Sequence, residues 1–188
     1  YEINVTGKES HAGRDHAEGV NACQILAEKL QEIRKLTNYK KFITTSVGRI
    51  EGGQDKYNIV CGWAKAKIDV RVPDLASYKA VTSKIQKILK DPHISFTITD
   101  ETPAFNVNKI SRPIIAQYLK AIEKVEGRKV TAHVSGGVGD VNHFSREGVI
   151  LMDGLGPVGG HAHTEKEFLD LRTIDTRSKI LTHFLQGL

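Results

Sequence analysis

The sequence predicts an α+β chain in two parts: a four-stranded antiparallel sheet carrying two helices over residues 1–103, then an α/β segment over 104–188 that is too small to close its own sheet. Three observations predict it. Apolar residues alternate with period two in several stretches, most clearly where Ala64, Ala66, Ile68, Val70 and Val72 face one way and Lys65, Lys67, Asp69 and Arg71 the other. Between these stretches lie two runs with helical spacing. Past Pro103 the pattern changes to short apolar runs broken by glycine-rich turns.

Residues 1–6 form the first alternating run, with Tyr1, Ile3 and Val5 on one side. Val20, Cys23, Ala27, Leu30 and Ile33 mark a helix over about 16–36. Residues 42–50 are rich in Thr, Ile and Val, and Gly52-Gly53 stops them. The alternating stretch 57–72 has one apolar and one charged face, as a strand covered by helices on a single side requires. Val81, Ile85, Ile88 and Leu89 mark a second helix, and 93–99 is the last strand of the unit. Two helices over four strands in this βαββαβ order make a ferredoxin-like sandwich. After a linker at 100–109, Ile114, Ile115, Tyr118, Leu119, Ile122 and Val125 predict a helix ended by Gly127. A strand over 130–134, a short helix over 141–147, a fully buried strand over 149–152 and a terminal helix through Ile174, Leu181, Phe184 and Leu185 complete the pattern.

Composition removes several classes of function. Hydrophobic content of 39% with 26% charged residues belongs to a folded chain, so disorder is set aside. No apolar run reaches the roughly 20 residues of a membrane helix, and the first residues have neither the basic start nor the apolar core of a signal peptide. A cytoplasmic location without membrane contact is the expectation. The net charge of +5 is spread over many segments, including Lys8, Lys65, Lys120, Arg146 and Arg177, so it reads as a solvated surface. The strand ending at Val72 lacks the aromatic residues used for base stacking, so nucleic acid is not an expected partner. Cys23 falls on an apolar helix face and Cys61 at a strand start, and two buried free thiols are expected rather than a disulfide.

Four stretches carry residues with chemistry. Ser10-His11-Ala12-Gly13 puts a histidine on a strand-to-helix turn, where a loop can approach a ligand. Asn58 precedes the long strand and Arg71 ends it; a guanidinium fork suits a carboxylate. Gly136-Gly137-Val138-Gly139-Asp140 lacks the ending of a phosphate loop and the spacing of a dinucleotide fingerprint, and fits close backbone approach to a ligand or neighbour. His161 and His163, followed by Glu165 and Glu167, can supply imidazole nitrogen to a metal.

Taken in order, these segments resemble the zinc-dependent amidohydrolases that include acetylornithine deacetylase, succinyl-diaminopimelate desuccinylase, the aminoacylases and carboxypeptidases of the G type. The resemblance rests on Ser10-His11-Ala12-Gly13 with Gly19-Val20-Asn21-Ala22, on Gly52-Gly53, Asn58-Ile59-Val60 and Asp69-Val70-Arg71, and on Thr102-Pro103-Ala104-Phe105-Asn106, Gly136-Gly137-Val138-Gly139-Asp140 and Ala162-His163-Thr164 with Glu167. It implies that 1–103 is a lid and dimerisation domain and 104–188 the closing segment of the catalytic domain. It further implies that His11 reaches a partner subunit's active site to stabilise an oxyanion, and that Asn58 and Arg71 hold the substrate carboxylate. Gly136, Gly137 and Asp140 would lie beside the substrate and His163 would bind zinc, with His161 the weaker candidate. The family's remaining zinc ligands and its general base lie before the lid, so the chain alone is expected to be inactive. Gly139 stands where Ser or Thr is common and His16 where Pro is common. The implied reaction is hydrolysis of the amide bond of N-acyl amino acids or small peptides with a free carboxylate, by a homodimer using two zinc ions. A non-catalytic homodimerisation module is the alternative.

Overall fold

A computed structural model describes residues 1–105, 107–145 and 148–188. The chain divides into two compact units, Tyr1–Ala104 and Phe105–Leu188. In the first, β1 (Glu2–Thr6), α1 (Ala22–Arg34), β2 (Thr44–Gly52), β3 (Trp63–Arg71), α2 (Leu75–Ile88) and β4 (Ile94–Thr97) follow in the expected βαββαβ order. The sheet runs β2-β3-β1-β4 with every pair antiparallel, so β1 and β3 are central and β2 and β4 are edges. The register pairs Ile3 with Ala66 and Val5 with Ala64, which puts the apolar residues of both strands on one face. There they meet Leu26, Leu30 and Ile33 of α1 and Val81 and Ile85 of α2 in a closed core. The opposite face is charged, with Lys65 Nζ 2.8 Å from Glu2 Oε1.

Both helices begin where a side chain caps free backbone donors. Asn21 Oδ1 accepts the N–H of Gln24 at 3.1 Å, and Asp74 Oδ1 accepts that of Ser77 at 2.7 Å. The second bond holds the Asp74 carboxyl below the ordinary aspartate range.

Three sequence expectations for this unit are corrected. The first helix starts at Ala22, and residues His16–Glu18 form a separate 3-10 turn. Residues 57–62, expected to open the long strand, are loop; Asn58 and Val60 bond the turn around His11, while Cys61 and Gly62 bond Ala22 and Gly7. Cys23 and Cys61 are not free thiols: they form a disulfide with Cα atoms 5.8 Å apart, and both are half-buried. The helix face and the strand approach lie 38 residues apart in sequence and meet only once the sheet is assembled.

In the second unit α3 (Ser111–Glu126) and α4 (Arg172–Leu185) pack together through Tyr118, Ala121, Ile122, Ile180 and Phe184, with the Tyr118 and Phe184 rings edge-to-face at 5.4 Å. Gly127 ends α3 at a φ of 68°, a left-handed C-cap that glycine adopts without a Cβ penalty. Arg177 of α4 lies 3.4 Å from Glu126, which also binds Arg128 at 2.7 Å. A short hairpin, β5 (Gly159–Gly160) with β6 (Phe168–Leu169), was not foreseen. The expected strands at 130–134 and 149–152 are not strands among the described residues. The second is held by side chains: Asn108 Nδ2 donates to the Val149 carbonyl at 2.7 Å, and the buried Ser111 Oγ accepts the Leu151 N–H at 3.0 Å. It is not buried on both faces either, because Leu151 is buried and Ile150 is exposed. The expected short helix is a 3-10 turn over Asp140–Phe144; Arg146 and Glu147, predicted to finish it, lie outside the described residues, as does Asn106 of the linker motif.

Candidate functional site

The turn after β1 positions His11. Lys8 and Val20 exchange two backbone hydrogen bonds of 2.9 Å and close residues 8–20 into a loop. The returning segment 58–62 is laced to that loop: Val60 N–H donates to the Ser10 carbonyl at 2.9 Å, Ala12 N–H to the Asn58 carbonyl at 3.0 Å, and Gly7 N–H to the Gly62 carbonyl at 2.8 Å. His11 and Asn58 therefore belong to one exposed patch. The His11 ring is oriented by its own turn. Its Nδ1 accepts the backbone N–H groups of Gly13 and Arg14, each at 3.1 Å. A nitrogen that accepts two donors carries no proton, so the neutral ring bears its hydrogen on Nε2. His11 thus presents a hydrogen-bond donor from an exposed turn.

Arg71 lies elsewhere. The segment with His11 and Asn58 joins the sheet at the Trp63 end of β3, whereas Arg71 is at the other end, opposite Thr44. A nine-residue strand at about 3.3 Å per residue separates these ends by roughly 26 Å. Within one copy the structure brings Asn58 to His11 and does not bring Arg71 to either. Asp69, on the same face two residues back, holds the guanidinium: Nε donates to Oδ1 at 2.9 Å and Nη2 to Oδ2 at 3.1 Å. This pairing raises the Arg71 pKa above its ordinary value. Asp69 is a partner that the alternation rule had treated only as a surface charge.

The remaining predicted residues are in the second unit. Gly136 and Gly137 are exposed, and Gly137 N–H donates to Ser135 Oγ at 3.1 Å. Asp140 is exposed at the start of the 3-10 turn, which is fixed by reciprocal bonds between Gly139 and the buried Asn142. His161 and His163 occupy the loop of the β5–β6 hairpin, both exposed and both left-handed, with φ of 56° and 66°. Thr164 donates to the His161 carbonyl through N–H at 3.1 Å and Oγ1 at 2.7 Å, while His163 N–H donates to Glu167 Oε2 at 3.1 Å. The His161 ring stands 6.0 Å from that of Phe168. Among the described residues no group of three His, Cys, Asp or Glu side chains is placed to hold a metal.

A four-stranded antiparallel sheet with two helices on one face, β2 and β4 at its edges, carries an exposed histidine turn and is followed along the chain by a second unit. Residues 1–97 match the peptidase dimerisation domain of the M20 family, and the chain belongs to that family. It is 23% identical over 193 residues to carboxypeptidase G2 of Pseudomonas sp. (strain RS-16), covering 100% of this chain and 46% of that protein. It is 25% identical over 193 residues to succinyl-diaminopimelate desuccinylase of Beijerinckia indica, covering 98% and 50%. The chain therefore spans about half the length of the curated relatives it matches. Its fold is similar to that of a tripeptidase from Staphylococcus aureus, with a TM-score of 0.80, 20% identity, 99% of this chain and 50% of the other. Aminopeptidase PepT of Bacillus cereus gives a TM-score of 0.76 at 23% identity, with 98% and 50% covered. The relatives are hydrolases by name. No helix among the described residues is long and apolar enough to cross a membrane.

Proposed function

We propose that this chain is the lid and dimerisation domain, with the C-terminal catalytic segment, of a hydrolase that cleaves the amide bond of N-acyl amino acids or small peptides bearing a free carboxylate. The observation that supports it best is the His11 turn. With Nδ1 occupied by two backbone donors, the Nε2 hydrogen is preset to meet the negative charge that forms on a tetrahedral oxygen. Asn58 adds an amide beside it. Arg71, whose guanidinium is oriented by Asp69, is a planar fork of the kind that binds a substrate carboxylate.

The length of β3 supports a homodimer. His11 and Arg71 act on one substrate only if two copies contribute, since a single strand keeps them apart. The β2 edge carries nine residues with Val47 and Ile50 exposed, and an open edge of this kind suits pairing with its own twofold mate. Gly136, Gly137 and Asp140 serve as the backbone and carboxylate rim beside the substrate.

Zinc is the metal of this reading, and the donor set here does not by itself fit it. A zinc ion takes three or four protein ligands, and the described residues form no such cluster. His163, with His161 as an alternate, is then one ligand of a set completed by residues outside these 188. We assign the protein to the cytoplasm as part of the same reading.

Subunit mixing tests the proposal in the longer polypeptide it requires. His11→Ala should lower kcat by on the order of a hundredfold or more, and Arg71→Ala should raise KM. Mixing and re-forming dimers of the two variants, assayed at substrate far below the KM of Arg71→Ala where each alone is nearly silent, should restore about a quarter of wild-type activity, because half the dimers then contain one intact site. No recovery on mixing, or full activity of His11→Ala, would sink it.

A further inference from the structure

We propose that the Cys23–Cys61 disulfide is a redox-operated clasp that holds the Asn58 segment against the start of α1, so that thiol reductants control the order of the His11–Asn58 patch. The consequence for catalysis rests on the role proposed above for those two residues; the clasp itself rests on geometry.

Cys23 lies in the first turn of α1, and Cys61 ends the segment that carries Asn58. Residues 54–58 are exposed, so the loop gains little from packing until it reaches the buried Val60. Hydrogen bonds otherwise fasten it: Gln54 Nε2 donates to Glu9 Oε1 at 2.8 Å, and single backbone bonds join the Asn58 carbonyl to Ala12 N–H, Val60 N–H to the Ser10 carbonyl, the Cys61 carbonyl to Ala22 N–H at 2.8 Å and the Gly62 carbonyl to Gly7 N–H at 2.8 Å. The disulfide is the one covalent tie among them, and it joins the two strands of chain that frame the patch.

Room for the sulfurs is built into the end of β2. A Cβ on Gly52 would come within 2.8 Å of Cys23 Sγ, and one on Gly53 within 3.4 Å of Cys61 Sγ. Gly53 also has a φ of 70°, which other residues rarely adopt. Gly52-Gly53, which the sequence marks only as a strand breaker, thus leaves the space in which the bond sits. The open state is provided for as well. Cys61 Sγ is 3.0 Å from the Trp63 carbonyl, so a thiol at this position has an acceptor waiting. Both cysteines are half-buried, which leaves the bond reachable by a small thiol.

The step balances with a dithiol as reductant. A dithiothreitol thiolate attacks one sulfur and the S–S bond breaks, giving a mixed disulfide and one cysteine thiolate. The second dithiothreitol thiol then closes its own ring and releases the other cysteine. Two electrons pass from dithiothreitol to the protein, and two protons pass to the cysteine sulfurs.

The 188-residue chain serves for the test. As isolated it should show no thiol in denaturant before reduction and both after it. Dithiothreitol without denaturant should open the bond. Backbone order parameters at Ala12 and residues 58–62 should then fall from about 0.85 to below about 0.6, while those of α2 stay unchanged. The Cys23→Ser/Cys61→Ser double variant should show the low values with or without reductant; should it fail to fold, reduced wild-type protein carries the same readout. Free thiols in the isolated chain, a bond that opens only in denaturant, or unchanged order after reduction would each overturn the clasp. None of those results touches the hydrolase reading, which subunit mixing decides separately.

Discussion

The two units bury their apolar residues in different ways. In Tyr1–Ala104 the sheet supplies one continuous face and α1 and α2 cover it, so Ile3, Val5, Ala64, Ala66 and Ile68 all find partners inside the unit. In Phe105–Leu188 two helices bury one stripe each, and the connecting segments leave Val134 (69% exposed), Ile150 and Leu171 (70% exposed) open. The difference teaches that a closed layer needs a second layer of matching extent. A helix pair with only the two-residue strands of the β5–β6 hairpin cannot provide it, and segments such as 149–152 then borrow hydrogen bonds from Asn108 and Ser111.

That contrast can be broken or sharpened by substitution. The largest effect is expected from the Cys23→Ser/Cys61→Ser pair. Removing a cross-link that spans 38 residues should cost the first unit about 4 kcal/mol in a denaturant melt. Next comes the pair of fully buried isoleucines. Ile85→Ala should cost about 3–4 kcal/mol and Ile180→Ala about 2 kcal/mol, because the thinner helix pair can relax into the space. Equal costs would show that the second core is as rigid as the first. Leu171→Ser should change stability by less than about 0.5 kcal/mol; a larger loss would mean that this leucine is covered in solution. The smallest effect concerns pH. The Asp74 carboxyl is held below its ordinary range by the Ser77 N–H, so its contribution is full above the unfolded value and disappears as pH falls through the folded one. Asp74→Asn keeps a capping oxygen and should flatten only the acid limb of the first unit's stability profile, measured by melts across that range.

Much of the first unit was legible because its periodicities are local. Ala64 to Val72 and Leu30 to Ile33 state their faces within a few residues, and the sheet then has few ways to assemble. Residues 57–62 misled because they adjoin the alternating run and carry apolar Tyr57, Ile59, Val60 and Cys61, although these do not keep its phase; whether such a run pairs depends on a neighbour that periodicity cannot name. The runs at 130–134 and 149–152 failed for the same reason, since a strand exists only through its partner. Of the candidate site, the residue types on exposed turns were readable at His11, Asn58 and His163. The His11 tautomer was not, because it depends on the amides of Gly13 and Arg14. The disulfide was not either, because proximity across 38 residues is a property of the finished sheet.

The hairpin loop of the second unit has a consequence for protein engineering. Two successive odd-numbered imidazoles sit at dihedral angles where glycine would rest at ease, and each side chain there costs about 1 kcal/mol. His163→Gly is therefore a substitution that a stability screen would tolerate or favour and that would delete a ring nitrogen. Libraries selected for heat resistance alone would drift toward losing that imidazole, and keeping it demands selection on chemistry.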